Sequence, residues 1–236
     1  MPKGFFVTGT DTGVGKTIIT AALIKAAHLL GHKACGMKPI ETGCLREGDV
    51  YIPSDGMFIK TIAHMEETVN HVSPCCFENP LAPLPASEIE GRSVDVEKIQ
   101  TAYRELSKKY DVIIVEGIGG LLVPVTRDYF VFDLAKDFGL PVIVVSKPGL
   151  GTINHTMLTV THAIKEGIDV AGIIINYSLP PENTPAEKTN PDVLKKVSPV
   201  PLIGIFPYLK DLESNTIERA VLKHLDLTII KKYLWF

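Results

Sequence analysis

Short β-branched runs recur along the chain, separated by segments whose apolar residues repeat at helical spacing. The runs Phe5–Thr8, Ala34–Lys38, Val112–Val115, Val142–Ser146, Val170–Ile175 and Leu202–Phe206 predict strands. Several are apolar without interruption, as expected of parallel strands buried on both faces. Lys16–Leu30, Val96–Lys109, Asn154–Glu166 and Asp192–Lys196 predict helices, the first followed by Gly31, a residue suited to a C-cap. The alternation predicts an α/β fold in one domain, a mostly parallel sheet with helices on both faces. Three stretches interrupt it. Glu41–Pro53 carries glycine and proline in place of a helix pattern, and Pro180–Pro191 is a second irregular connection. Pro74–Gly91 contains Pro80, Pro83 and Pro85 and is expected to be largely loop. Loops of this length in a small domain are usually functional or disordered.

Composition narrows the classes without naming one. A chain of 236 residues, 45% hydrophobic and 22% charged, can bury a sizeable core without disulfides or structural metals. A net charge of −3 and the lack of long basic runs argue against nucleic acid or a membrane surface as partner. The opening residues show neither the apolar region nor the cleavage site of a signal peptide, so a cytoplasmic location is expected. Cys35, Cys44, Cys75 and Cys76 lack the spacing of a zinc site and read as free thiols.

The first strand runs into Thr8-Gly9-Thr10-Asp11-Thr12-Gly13-Val14-Gly15-Lys16-Thr17, and the first helix follows at once. Such a strand, glycine-rich loop and helix start present inward-facing amides and a partial positive charge to a polyphosphate. Lys16 is expected to reach the β- and γ-phosphates of ATP, and the Thr17 hydroxyl to ligate Mg2+. The loop departs from the usual template, because Thr10 occupies the leading glycine position and Gly9 lies one place earlier. Glu116, followed by Gly117-Ile118-Gly119-Gly120, ends a buried strand where a parallel sheet opens its ligand crevice, and is a second candidate for Mg2+. Lys38 ends the second predicted strand and Thr42 follows it, placing a cation and a hydroxyl at the same edge. Leu150-Gly151-Thr152-Ile153-Asn154-His155 opens a helix whose first amides suit an anion such as a carboxylate.

Taken together these segments resemble the dethiobiotin synthetase family. Val7–Thr17, Lys38–Gly43, Ser54-Asp55, Val115–Gly120, Leu150–Thr159, Asn176 and Phe206-Pro207 carry the resemblance, with Pro74–Gly91 a looser match. The resemblance implies a P-loop fold and an ATP-dependent ligase of biotin synthesis. In that reaction 7,8-diaminopelargonate and CO2 form a carbamate on one nitrogen. The γ-phosphate of ATP passes to the carbamate, and the second amine attacks the mixed anhydride, closing a cyclic urea and releasing phosphate.

It further implies roles. Thr12, Lys16 and Lys38 would serve the reacting carbamate and phosphate, and Thr42 would contact the diamine. Thr17, Asp55 and Glu116 would hold Mg2+. Gly13, Val14, Gly15, Gly117, Ile118 and Gly119 would surround the phosphates, and Asn176, Tyr177 and Pro207 would frame the adenine. By resemblance the protein is a homodimer, in which Leu150, Gly151, Thr152, Ile153 and Asn154 of one subunit close over the substrate of the other. Three positions depart from the family. Gly13 stands where some members carry glutamate, Thr42 replaces a common serine, and Pro83-Leu84-Pro85 lacks a histidine often found there. Asp49 is a rival to Asp55 for the metal. A partition-type ATPase would carry an extra lysine early in the loop, which Gly9-Thr10-Asp11-Thr12 lacks. An amidotransferase would need an ammonia-generating domain for which the chain has no room.

Overall fold

The chain's six apolar runs form one six-stranded parallel sheet in the computed structural model, which describes residues 3–234. In chain order the first elements are β1 (Lys3–Gly9), α1 (Lys16–Leu29), β2 (Ala34–Met37), β3 (Ile40–Thr42), β4 (Leu45–Glu47) and β5 (Val50–Ile52). They are followed by α2 (Ser54–Ile62), α3 (Val69–Val72), β6 (Cys75–Phe77), α4 (Pro83–Glu90), α5 (Val96–Ser107) and β7 (Val112–Glu116). The last are α6 (Val131–Phe138), β8 (Val142–Ser146), α7 (Thr152–Lys165), β9 (Val170–Asn176), α8 (Pro185–Val197), β10 (Leu202–Phe206), α9 (Ser214–His224) and α10 (Leu227–Leu234).

The strand order is β10-β9-β8-β1-β7-β2. All five residues of β7 and of β8 are buried, which is why those runs are apolar throughout. The chain leaves β1 toward one edge through β2 and later returns to the other side through β8. That reversal opens a crevice beyond the carboxyl ends of β1, β7 and β8, where ligands of such sheets bind.

The irregular stretches hold more structure than their prolines suggest. Pro83 and Pro85 occupy the first turn of α4, where amides lack intrahelical partners and proline is tolerated. Glu41–Pro53 contains a short hairpin, β4–β5, turning at Gly48 with φ 61°, while β3 pairs in parallel with β6. Helix α8 begins at Pro185, earlier than the sequence predicts, because Thr184 caps it by accepting from the Glu187 amide at 3.3 Å. The four cysteines are free and buried.

Candidate active site

Strand register assembles the charged centre. Met37 of β2 lies beside Val115 of β7, so the next residues, Lys38 and Glu116, emerge side by side. Both are almost fully buried, at 4% and 1% exposure, and they form an ion pair. Asp55, in the first turn of α2, lies 3.1 Å from the same ammonium. Burial acts to lower the Lys38 pKa, but Glu116 and Asp55 outweigh it and hold the pKa above its ordinary value. The Thr17 hydroxyl donates to Glu116 Oε1 at 3.0 Å, which brings the loop into the cluster. The other oxygen, Glu116 Oε2, is buried without a hydrogen-bond partner.

The phosphate loop folds back on itself. Lys16 Nζ donates to the Asp11 carbonyl at 3.3 Å, and Thr12 N donates to Asp11 Oδ1 at 2.7 Å. Burial pushes the Lys16 pKa down to about 8, with Lys38 adding to the effect. The off-template glycine has a steric cause. A side chain on Gly9 would come within 2.8 Å of both the Asp11 carbonyl and Val14, whereas Thr10 anchors the loop by donating its amide to Val145 O at 2.9 Å.

Around this centre lies a cavity of about 290 Å³ lined by Thr12, Gly13, Gly15, Lys16, Thr17, Lys38, Glu41, Thr42, Asp55, Glu116, Ile118 and Gly119. A second cavity, of about 610 Å³, shares Gly15, Thr17 and Asp55 with it and runs to Asn176, Tyr177 and Pro207. Asn176 is 1% exposed and donates through Nδ2 to Val14 O at 2.8 Å, while its Oδ1 is buried with no partner. Ser178 makes a second tie, its hydroxyl donating to Gly13 O at 2.9 Å. Val14 and Gly117 line neither cavity. Val14 supplies the carbonyl to Asn176, and Gly117 lets the turn pass Phe6, whose ring a Cβ would approach to 2.9 Å.

The rival aspartate lies elsewhere. The Asp49 carboxylate is fully exposed and pairs with Arg46 at 3.3 Å, and Asp49 lines neither of these two cavities.

Comparison with known proteins decides the family. An AAA domain family model matches residues 3–216. The ATP-dependent dethiobiotin synthetase BioD of Thermodesulfovibrio yellowstonii is 49% identical over 234 residues, spanning 96% of this chain and 98% of its own. The synthetase of the same name from Bacillus subtilis strain 168 is 37% identical, over 97% of both chains. The chain belongs to the dethiobiotin synthetase family.

Solved structures share the fold of this synthetase at far lower identity. The MinD cell division protein of Aquifex aeolicus matches with a TM-score of 0.56 at 17% identity, covering 98% of this chain and 95% of that one. A plasmid partition protein of Borrelia burgdorferi B31 bound to AMPPNP gives 0.55 at 14%, covering 99% and 98%. These neighbours show the same fold and nothing beyond it.

The synthetase segment Leu150–Asn154 stands apart from both cavities. Asn190 holds its base by donating to Pro148 O at 2.8 Å and Gly149 O at 2.9 Å, and Gly151 turns into α7 at φ 92°. Leu150 is 95% exposed, and Leu158 on α7 is also exposed.

Sequence reasoning missed Phe58, Tyr208, Leu209 and Leu212, which line the second cavity. Tyr208, Leu209 and Leu212 give a weak signal, since apolar residues in a loop after a strand have no periodicity, while Phe58 lies within the short helix α2. Glu41 was also passed over, although it stands inside the Lys38–Gly43 segment.

Proposed function

We propose that the chain closes the ureido ring of dethiobiotin from 7,8-diaminopelargonate, CO2 and ATP, with Mg2+ held by Thr17, Asp55 and Glu116. The observation that carries this reading is the Lys38–Glu116–Asp55–Thr17 cluster, lying between the phosphate loop and Thr42 in one cavity. Two carboxylates and a hydroxyl are a hard-oxygen set that suits Mg2+, and the unpartnered Glu116 Oε2 is free to receive a cation. Among the described residues no group of three or more His, Cys, Asp and Glu side chains is placed to hold a metal ion. The rest of the shell is therefore left to water and phosphate oxygens, the usual arrangement for this ion. When bound, Mg2+ supplies positive charge to the phosphates during transfer.

The chain's own residues do the rest by position and charge. The carbamate and the γ-phosphate are both anions, and Lys16 and Lys38 offset their repulsion. An ammonium has three donors. Lys38 engages Glu116 and Asp55 with two and keeps one for the carbamate. Thr12 at the loop rim holds carbamate oxygens, and Thr42 orients the diamine so that its second amine faces the anhydride. The order of steps is the one the family resemblance implies. Carbamate formation makes the anion, phosphoryl transfer turns one of its oxygens into a leaving group, and attack by the second amine releases that oxygen as phosphate.

Asn176 Oδ1 is the acceptor for the adenine amino group, with Tyr177 and Pro207 alongside the ring. Wild-type protein should bind ATP about tenfold more tightly than the 6-deamino analogue, the value of one buried hydrogen bond. Asn176→Ala should lose that preference, and competition titration with both nucleotides measures it. A preference that persists in the variant would remove Asn176 from base recognition.

The reading extends to assembly and location. Exposed Leu150 and Leu158, together with a rigidly based loop standing outside its own cavities, support a homodimer in which Leu150–Asn154 reaches the partner's substrate. Leu150→Asp should then lower specific activity severalfold at dilute protein and restore it at high concentration, with sedimentation showing the matching monomer fraction. A fully active monomer would end the claim. A single folding unit and a cytoplasmic location accord with the composition, and among the described residues no helix is long and apolar enough to cross a membrane. The central test is phosphate release with ATP, Mg2+, bicarbonate and the diamine. A rate indifferent to the diamine would exclude ring closure.

A further inference from the structure

Glu41 has no part in the chemistry above, yet it is 4% exposed and lines the first cavity. Both of its oxygens face the start of α2. Oε1 accepts from the Asp55 amide at 2.9 Å and from the Ser54 hydroxyl at 3.3 Å. Oε2 accepts from the Gly56 amide at 2.9 Å and from the Ser73 hydroxyl at 3.5 Å. Four donors fill the acceptor directions of a carboxylate, which argues against Glu41 as a ligand for a cation or a substrate amine.

The two amides are the second and third of the helix, those that an N-cap side chain normally satisfies. Here the N-cap is Pro53, which makes no side-chain cap bond. Glu41 supplies that cap from a neighbouring strand, and places its charge at the positive end of the helix. The fit is close. A Cβ on Gly56 would come within 2.1 Å of Ser73 Oγ and 3.5 Å of Glu41 Oε2. Between the two capped amides the chain carries the Asp55 side chain, whose carboxylate meets Lys38 at 3.1 Å.

We propose that Glu41 is a positioning residue, fixing the first turn of α2 and so the Asp55 carboxylate at the metal site. The inference rests on the reading of Asp55 as a Mg2+ ligand. A group that orients a metal ligand from behind typically changes metal affinity by about 10- to 100-fold when removed.

The test is a cycle of Glu41→Ala, Asp55→Asn and the double variant. Mn2+ binding to the ATP-loaded protein is followed by electron paramagnetic resonance, and amide hydrogen exchange is followed in the metal-free protein. Glu41→Ala should weaken Mn2+ by about tenfold or more and speed exchange at Asp55 and Gly56. In the Asp55→Asn background the same change should alter Mn2+ affinity by less than about twofold, since coupled residues are not additive. An equal loss in both backgrounds would overturn the proposal, as would unchanged Mn2+ affinity with a raised KM for the diamine. If Asp55→Asn itself leaves Mn2+ affinity unchanged, the metal reading fails and the inference with it. If Asp55→Asn weakens Mn2+ and Glu41→Ala does not, the inference alone fails. Should Glu41→Ala not fold, Glu41→Gln serves in the same cycle, because its amide nitrogen opposes one of the two helix amides.

Discussion

Lys38→Ala should lower kcat by on the order of 10³-fold while ATP affinity stays within a few-fold. The ammonium is positioned to offset charge that develops when the carbamate meets the γ-phosphate, and removal of one such donor typically costs 10²- to 10³-fold. The upper end is expected because Lys38 also partners Glu116 and Asp55. Without it, a carboxylate at 1% exposure loses its ion-pair partner. Stripping one partner from a buried pair costs about 3–5 kcal/mol of stability, so the melting temperature should fall as well. Mg2+ with ATP should restore much of that loss by returning positive charge to the same oxygens. Steady-state kinetics, ATP titration and melting with and without Mg2+ separate the effects. A loss of ATP affinity in proportion to turnover would place Lys38 on the nucleotide instead of the carbamate.

Gly15→Ala should weaken ATP binding by at least about 100-fold. Gly15 has φ 85° and ψ 40°, a left-handed conformation that costs other residues about 1–2 kcal/mol. Strain is the smaller part. The new methyl would lie 2.1 Å from Asn176 Nδ2, and that side chain is not free to retreat. It ends β9, is 1% exposed and holds the Val14 carbonyl at 2.8 Å. Relief of the clash would therefore break the tie between the phosphate loop and the base cavity. Gly13→Ala is the internal control. Gly13 has φ 68°, yet nothing lies within 4 Å of a Cβ placed there. Its loss should reflect strain alone, on the order of tenfold. Calorimetric titration of both variants with ATP decides the matter, and equal losses would show that the contact with Asn176 is unimportant.

The sheet was legible because each of its strands is an apolar run long enough to stand out. The order of those strands was not, since register and neighbour are set by packing across the chain. Glu116 was readable as a strand-end carboxylate followed by glycines. Its partnership with Lys38 emerges only when β2 and β7 lie side by side. Pro83 and Pro85 misled because proline breaks a helix interior but is tolerated in the first turn. Helix α6 was missed although Val131, Leu134, Ala135 and Phe138 are buried at helical spacing. The segment is only two turns long and abuts an irregular stretch, so the pattern had little room to repeat. Glu41 was overlooked for a different reason. A carboxylate that caps a distant helix leaves no trace at its own position in the chain.

The sheet order also bears on how the protein comes into being at the ribosome. The first strand made, β1, belongs in the interior between β7 and β8. Its partners are residues 112–116 and 142–145. Parallel neighbours cannot be reached by a hairpin, so Phe5, Phe6 and Val7 emerge with no strand to pair with until about half the chain has followed. Long-range pairing of this kind is slow and leaves apolar segments open to other chains in the interval. ATP offers no early remedy, since a ligand stabilises only the state that binds it, and the loop after β1 takes shape once β7 and β8 support it. Nascent chains stalled before residue 112 should therefore depend on chaperones, and added nucleotide should not relieve that dependence.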